Sequence, residues 1–151
     1  MKISSFFRRK FKKKRSAKFI SKSSELHYLE TELLKNNIIG IDTEFDWRTT
    51  YFPKLSLVQI VTLDKIFIID FLNIALTTSL ISFLENNECL KIFHSIRSDT
   101  TVLSKCLNCK CRNVFDIQIA EKLLLKGEIQ SYGKIVERYF GFKLDKMETN
   151  S

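Results

Sequence analysis

Three acidic side chains in this sequence stand where apolar ones would be expected. In Ile38-Ile39-Gly40-Ile41-Asp42-Thr43-Glu44-Phe45, four small or apolar residues read as a central strand covered on both faces, and two carboxylates follow at once. Alternation along a strand sets Asp42 and Glu44 on one face, roughly 6.6 Å apart at about 3.3 Å per residue. Two buried like charges demand a countercharge, and a hard divalent cation such as Mg²⁺ or Mn²⁺ suits carboxylate oxygens. The third acid is Asp99. With Val102, Leu103, Cys106 and Leu107 it falls at i, i+3, i+4, i+7 and i+8, in line with the apolar face of a helix at its N-terminal end. Each acid also has a plainer reading, as a solvated residue past a strand end or as a first-turn acid favoured by the helix dipole.

Other reactive residues carry less. His94 ends an apolar run, where a hydrogen-bonded structural histidine is the commoner role, so it is not assigned to catalysis. Cys106-x-x-Cys109-x-Cys111 invites a small zinc module, but it lacks the spacing of four ligands, and Cys106 belongs to the apolar stripe. Phe45, just past the two carboxylates, offers either a core side chain or a ring for stacking on a terminal base.

The elements that must position these residues follow from periodicity and punctuation. Lys18 to Ile20 reads as a short strand. A helix follows from about Glu25 to Lys35 with Leu26, Leu29 and Leu33 on one face. The carboxylate strand comes next, then a loop ending at Pro53, a strand over Leu55 to Thr62, a turn at Asp64-Lys65 and a strand over Ile66 to Asp70. Thr77 or Thr78 caps a helix to about Asn87, and Lys91 to His94 is a strand leading into the Asp99 helix. Asn113 to Phe115 is a last short strand, with Asp116 capping a helix to Leu125 that Gly127 ends. Tyr132, Ile135, Val136, Tyr139 and Phe140 form an apolar stripe closed by Gly141. This order predicts an α/β class, a mixed sheet flanked by helices.

Composition narrows the setting. Of 151 residues 44% are hydrophobic, enough for one cored domain, and the longest uncharged apolar window, Phe71 to Leu84, is too short and polar to span a bilayer. The net charge of +8 is concentrated, because Met1 to Ser24 holds ten Lys or Arg and no acid. A basic arm over residues 1–18 beside a domain over 19–151 points to a polyanion, most simply nucleic acid, although such an arm also suits organellar targeting. Four cysteines in a chain with this much core fit a reducing compartment, and the cytoplasm is the expectation.

Against these residues the chain resembles the ribonuclease D family of DEDD exonucleases, which have a ribonuclease H-like fold. Ile41-Asp42-Thr43-Glu44-Phe45 resembles the family's first motif, Thr50-Tyr51-Phe52-Pro53-Lys54-Leu55-Ser56-Leu57-Val58-Gln59 the segment after it, and His94 with Asp99 the second motif. Phe115-Asp116-Ile117-Gln118-Ile119-Ala120 and Leu144-Asp145-Lys146-Met147-Glu148-Thr149 resemble downstream segments. The resemblance implies a 3′-to-5′ exoribonuclease that trims RNA such as tRNA precursors with two Mg²⁺ or Mn²⁺ ions. Asp42, Glu44 and Asp99 match three of four ligand positions, and Lys146 matches a phosphate contact. The fourth ligand, in a C-terminal Tyr-x-x-x-Asp, has no counterpart here. That absence implies a C-terminally incomplete domain, inactive alone or completed by a partner chain. The competing expectation is a nucleic-acid-binding remnant without catalysis.

Overall fold

Runs rich in Ile, Val and Phe suit a pleated surface, and helical leucine triplets cover it. The computed structural model describes residues 15–47, 52–74 and 78–144, in two compact units whose described parts are residues 15–117 and 118–144. The first unit is a six-stranded mixed sheet made of β1 (Ser16–Ile20), β2 (Ile38–Asp46), β3 (Lys54–Val61), β4 (Lys65–Asp70), β5 (Leu90–Phe93) and β6 (Val114–Asp116). The spatial order is β1-β4-β3-β2-β5-β6. The sequential hairpins β2–β3 and β3–β4 are antiparallel, whereas β1–β4, β2–β5 and β5–β6 are parallel. Parallel neighbours need crossovers, and helix α3 (Ile96–Leu107) supplies the one between β5 and β6. Helices α1 (Leu26–Leu33) and α2 (Thr78–Glu85) precede β2 and β5.

The core of this unit gathers the residues that periodicity singles out. Leu26, Leu29 and Leu33 of α1 are buried, with Ile39 and Ile41 of β2, Val58 and Ile60 of β3, Phe67 and Ile69 of β4, and Val102, Leu103 and Leu107 of α3. Each such side chain contributes about 1.5–3 kcal/mol when fully removed from water.

Several sequence expectations are corrected. The first strand begins at Ser16, inside the predicted basic arm, because Ser16 to Ile20 pair in register with Lys65 to Ile69. The rest of the arm, residues 1–14, lies outside the described residues, as do Thr50, Tyr51, Thr77 and Lys146. β2 is not covered on both faces. Ile39 and Ile41 are buried but Ile38 is 46% exposed, the one-sided pattern of alternation. Asp116, the last residue of β6, has a partner that the sequence reading did not foresee, because its carboxylate accepts hydrogen bonds from the Ser95 and Ile96 amides at 3.2 and 2.9 Å, at the start of α3.

The second unit takes up α4 (Ile117–Leu125) from its second residue and contains α5 (Tyr132–Phe140). Lys126, with φ of 50°, takes the left-handed turn expected of Gly127. Gly141, with φ of 75°, closes α5 as predicted, its N–H reaching the Glu137 carbonyl at 2.8 Å. The α5 stripe is only partly covered, because Ile135 and Val136 are buried while Tyr132 and Tyr139 stay about half exposed.

Candidate active site

β2 lies between β3 and β5; its start pairs with β5 over Ile38 to Gly40, and its C-terminal end, which carries the acids, pairs with β3. Asp42 pairs with Gln59 and Glu44 with Leu57; the register then slips, Phe45 facing Leu55 and leaving Ser56 as the extra residue of a bulge. A bulge bends the ladder, here directly after the two carboxylates. Asp42 and Glu44 share a face, as predicted, but that face is open and both side chains are exposed rather than buried. Thr43 between them points the other way and is 7% exposed.

Thr43 recruits the third acid. Asp99, in the first turn of α3 and 6% exposed, accepts hydrogen bonds at one carboxylate oxygen, Oδ1, from the Thr43 amide at 3.0 Å and the Thr43 hydroxyl at 2.6 Å. Two donors on one oxygen orient the carboxylate and offset part of its desolvation. They do not offset all of it. Burial pushes the Asp99 carboxyl above its ordinary range against the pull of the Thr43 hydroxyl, and the Asp42 charge adds to the rise.

Asp42 is raised as well, first by the desolvation of its carboxyl among the surrounding walls and then by Glu44, while the Thr43 amide and His94 draw it back. Its side chain is exposed, and the like charge of Glu44 two residues on adds to the rise. β5 runs parallel beside β2, with Gly40 paired to Ile92, and His94 directly follows β5.

What mounts Asp99 is a residue whose role was not foreseen. Ser95, preceding α3, has a left-handed backbone with φ of 64° and no side-chain cap of its own. The Asp116 carboxylate supplies the acceptors instead, so the end of β6 anchors the helix end that carries Asp99. The signal was an acid ending a short strand, but its partner lies some twenty residues upstream, beyond local reading. Thr43 was likewise visible only as a residue between two acids.

Phe45 is half-buried and packs against the core, with Trp47 edge-on to it at 5.5 Å between ring centroids and 71° between planes. Trp47 is 50% exposed, an aromatic surface beyond the carboxylates that the sequence reading did not weigh. Among the described residues no three His, Cys, Asp or Glu side chains converge on one metal-sized position, neither the cysteines nor the three acids. The acids nevertheless form a connected set, Asp42 acting on Asp99 and Glu44 acting on Asp42. Their hard oxygens and mutual repulsion are what a divalent cation would relieve.

Comparison with known proteins bears on the family and the fold. The 3′-5′ exonuclease family matches residues 17–151. Ribonuclease D of Desulfotalea psychrophila is 31% identical over 133 residues, covering 87% of this chain and 36% of that protein. Ribonuclease D of Zymomonas mobilis is 38% identical over 129 residues, covering 84% and 33%. The crystal structure of Escherichia coli RNase D, an exoribonuclease involved in structured RNA processing, superposes with a TM-score of 0.84 at 26% identity, over 89% of this chain and 36% of that one. Trypanosoma brucei RNase D in complex with RNA U12 has the same fold, with a TM-score of 0.81 at 21% identity, over 94% and 52%. The fold is thus that of the RNase D exonuclease domain, ribonuclease H-like as the sequence resemblance implied. The chain spans about a third of the length of the curated relatives it matches.

Proposed function

We propose that this chain, which belongs to the 3′-5′ exonuclease family and is similar to ribonuclease D along most of its length, contributes the carboxylate half of a metal-dependent exoribonuclease site. The observation that carries the reading is the Asp42–Thr43–Glu44 strand end with Asp99 hydrogen-bonded onto it. Asp42, Glu44 and Asp99 would hold Mg²⁺ or Mn²⁺. The chemistry such ions supply is activation of the attacking water and stabilisation of the leaving 3′ oxygen of the terminal phosphodiester.

The protein's own groups do the positioning. Thr43 fixes the orientation of Asp99 through two donors, and Asp116 fixes the helix end on which Asp99 stands. Phe45, with Trp47 against its edge, presents ring surface to a terminal base, a contact worth about 1–3 kcal/mol and indifferent to base identity. Lys146 contacts a phosphate. The ten basic residues of Met1 to Ser24 add affinity by counterion release. RNA 3′ ends, tRNA precursors among them, are the proposed substrate class.

Activity of this chain by itself is proposed to be very low. Asp42, Glu44 and Asp99 without a fourth carboxylate and its tyrosine leave one ion poorly held, and ligand sets of this kind lose far more than a proportional share when one member is removed. The test compares degradation of a 3′-end-labelled RNA with Mn²⁺ by this chain and by the chain extended through the C-terminal helix of a relative. Trimming is expected from the extended chain, with at least about a hundredfold loss in Asp42→Ala. Robust trimming by the unextended chain would overturn the reading of incompleteness. RNA binding with no trimming and no Mn²⁺ titration in either chain would favour a binding module without catalysis.

A further inference from the structure

The carboxylate site accounts for the inner face of α3 but not for its outer one. Arg97, Thr101 and Lys105 recur every four residues and so share one side of the helix, and all three are exposed, as are Ser98 and Ser104 beside them. The one acid of α3, Asp99, is turned inward, 6% exposed and held by Thr43. The outer face therefore carries two cations and three hydroxyl residues with no carboxylate among them. Neither Arg97 nor Lys105 forms an ion pair with a described residue. A helix face of this composition is complementary to a polyanion.

At its far end this face meets an aromatic ring. Phe52 is 59% exposed, and the Lys105 ammonium lies 5.9 Å from the centre of its ring. The Cys106 thiol fixes the approach, donating to the Pro53 carbonyl at 3.1 Å. An exposed cation–π contact is a weak reason to keep a phenylalanine in water. Both routes away from the carboxylates lead to this ring. α3 runs from Asp99, bonded to Thr43 of β2, to Cys106 beside Pro53, and Asp99 and Lys105 are roughly 9 Å apart along it at 1.5 Å per residue. β2 runs the same way, because Asp46 pairs with Lys54 and leaves Trp47 and Phe52 just beyond that last pair. That length corresponds to two or three phosphates at about 3.4 Å each along a stacked strand.

We propose that Phe52 and Lys105, with Arg97, form a subsite for an unpaired RNA strand upstream of its 3′ end, Phe52 stacking on a base while the two cations neutralise phosphates. This rests on the carboxylate reading above, which puts the 3′ end at Asp42, Glu44 and Asp99. A ring beside an ammonium suits a single strand of any sequence, since every unpaired base offers a π-face and every linkage a phosphate, whereas a base inside a duplex has both faces covered. The substrates it selects are RNAs with an unpaired 3′ tail of several nucleotides. A dinucleotide held at the carboxylates ends short of Phe52.

The test is binding of 5′-fluorescein oligoadenylates of two and of eight nucleotides to the full chain, read by fluorescence anisotropy with Mn²⁺ across a salt series. Phe52→Ala should weaken binding of the longer RNA about fivefold or more and leave the dinucleotide unchanged. Lys105→Gln and Arg97→Gln should each flatten the logarithmic salt slope for the longer RNA by about 0.7. Phe52→Tyr and Lys105→Arg should behave as the unaltered chain. All three side chains are exposed, so the variants are expected to keep the urea midpoint of the parent. Unchanged affinity for the longer RNA in Phe52→Ala combined with Lys105→Gln would overturn the proposal. So would an equal loss for both lengths, or an equal loss for a blunt RNA duplex. Asp42→Ala keeps the two readings apart. If that variant loses the Mn²⁺ response while Phe52→Ala has no effect, the subsite alone is wrong; if it keeps the full Mn²⁺ response, the carboxylate reading is wrong.

Discussion

Residues 15–117 bury most of their helical leucines, whereas residues 118–144 leave most of their leucines and isoleucines exposed. In the first unit Leu26, Leu29, Leu33 and Leu103 are all buried, at 3%, 0%, 1% and 0% exposure. In the second, Ile119, Leu123, Leu124 and Ile129 are exposed at 53%, 73%, 75% and 58%. Buried polar groups differ in the same way. Asp99 has two donors on one oxygen and Lys91 has two carbonyl acceptors. Glu121, 3% exposed, pairs one oxygen with Arg138 and leaves Oε2 without a partner among the described residues. An apolar residue on a helix states a capacity for burial, and only a sheet or another helix face turns that into stability.

If the contrast is real, equivalent cuts should hurt unequally. Leu103→Ala should cost about 3–4 kcal/mol in a urea melt, through lost transfer energy and a cavity. A cost under about 1 kcal/mol would mean that α3 is less firmly packed than its burial suggests. Arg138→Met removes the partner of a buried carboxylate, and because Arg138 is itself 44% exposed the expected cost is about 2 kcal/mol. This loss should appear in hydrogen exchange of residues 118–144 and leave the protection of β2 unchanged. Equal loss of protection in both units would show that they open together.

Asp99→Asn probes the first unit from the other side. Its carboxyl is raised in the folded state, so folding favours the protonated form, and that contribution is present at low pH and lost as pH rises through the folded pKa. An amide keeps an acceptor for Thr43 and removes the charge. In chelator, the variant should be more stable at neutral pH by on the order of 1 kcal/mol and should flatten the acid-to-neutral stability slope, while losing Mn²⁺ affinity. Unchanged pH dependence would mean that Asp99 is not the strained group. The smallest effect is expected of Leu124→Glu, within about 0.5 kcal/mol of the parent because the side chain already faces solvent. A larger loss would show that this surface is covered in solution.

How far the sequence disclosed all this depended on the range of the interactions involved. The β2 strand, the β3–β4 hairpin and the amphipathic α3 were legible because period and turn residues are local signals. The paired side of Asp42 and Glu44 followed from alternation, but their exposure did not, because which face of β2 stays open is decided by what packs there. Lys91 looked like an ordinary strand residue, and its buried ammonium depends on carbonyls contributed by Asn86 and Arg112. Lys126 taking the turn in place of Gly127 shows that a glycine nearby does not oblige the chain to use it. The hold of Asp116 on α3 was not foreseen, because helix caps are usually local and β6 reaches the start of that helix only through the fold.

That long-range contact has a consequence in time. α3 leaves the ribosome before the residue that caps it, and twenty or more positions separate Ile96 and Ser95 from Asp116. Until β6 has joined β5, the first turn of α3 has exposed amides and Asp99 stands on a fraying end. Assembly of the carboxylate site is therefore expected to be a late event in folding, following the docking of a three-residue edge strand. In folding kinetics, Asp116→Ala should leave the folding rate nearly untouched and speed unfolding, the signature of an interaction absent from the transition state.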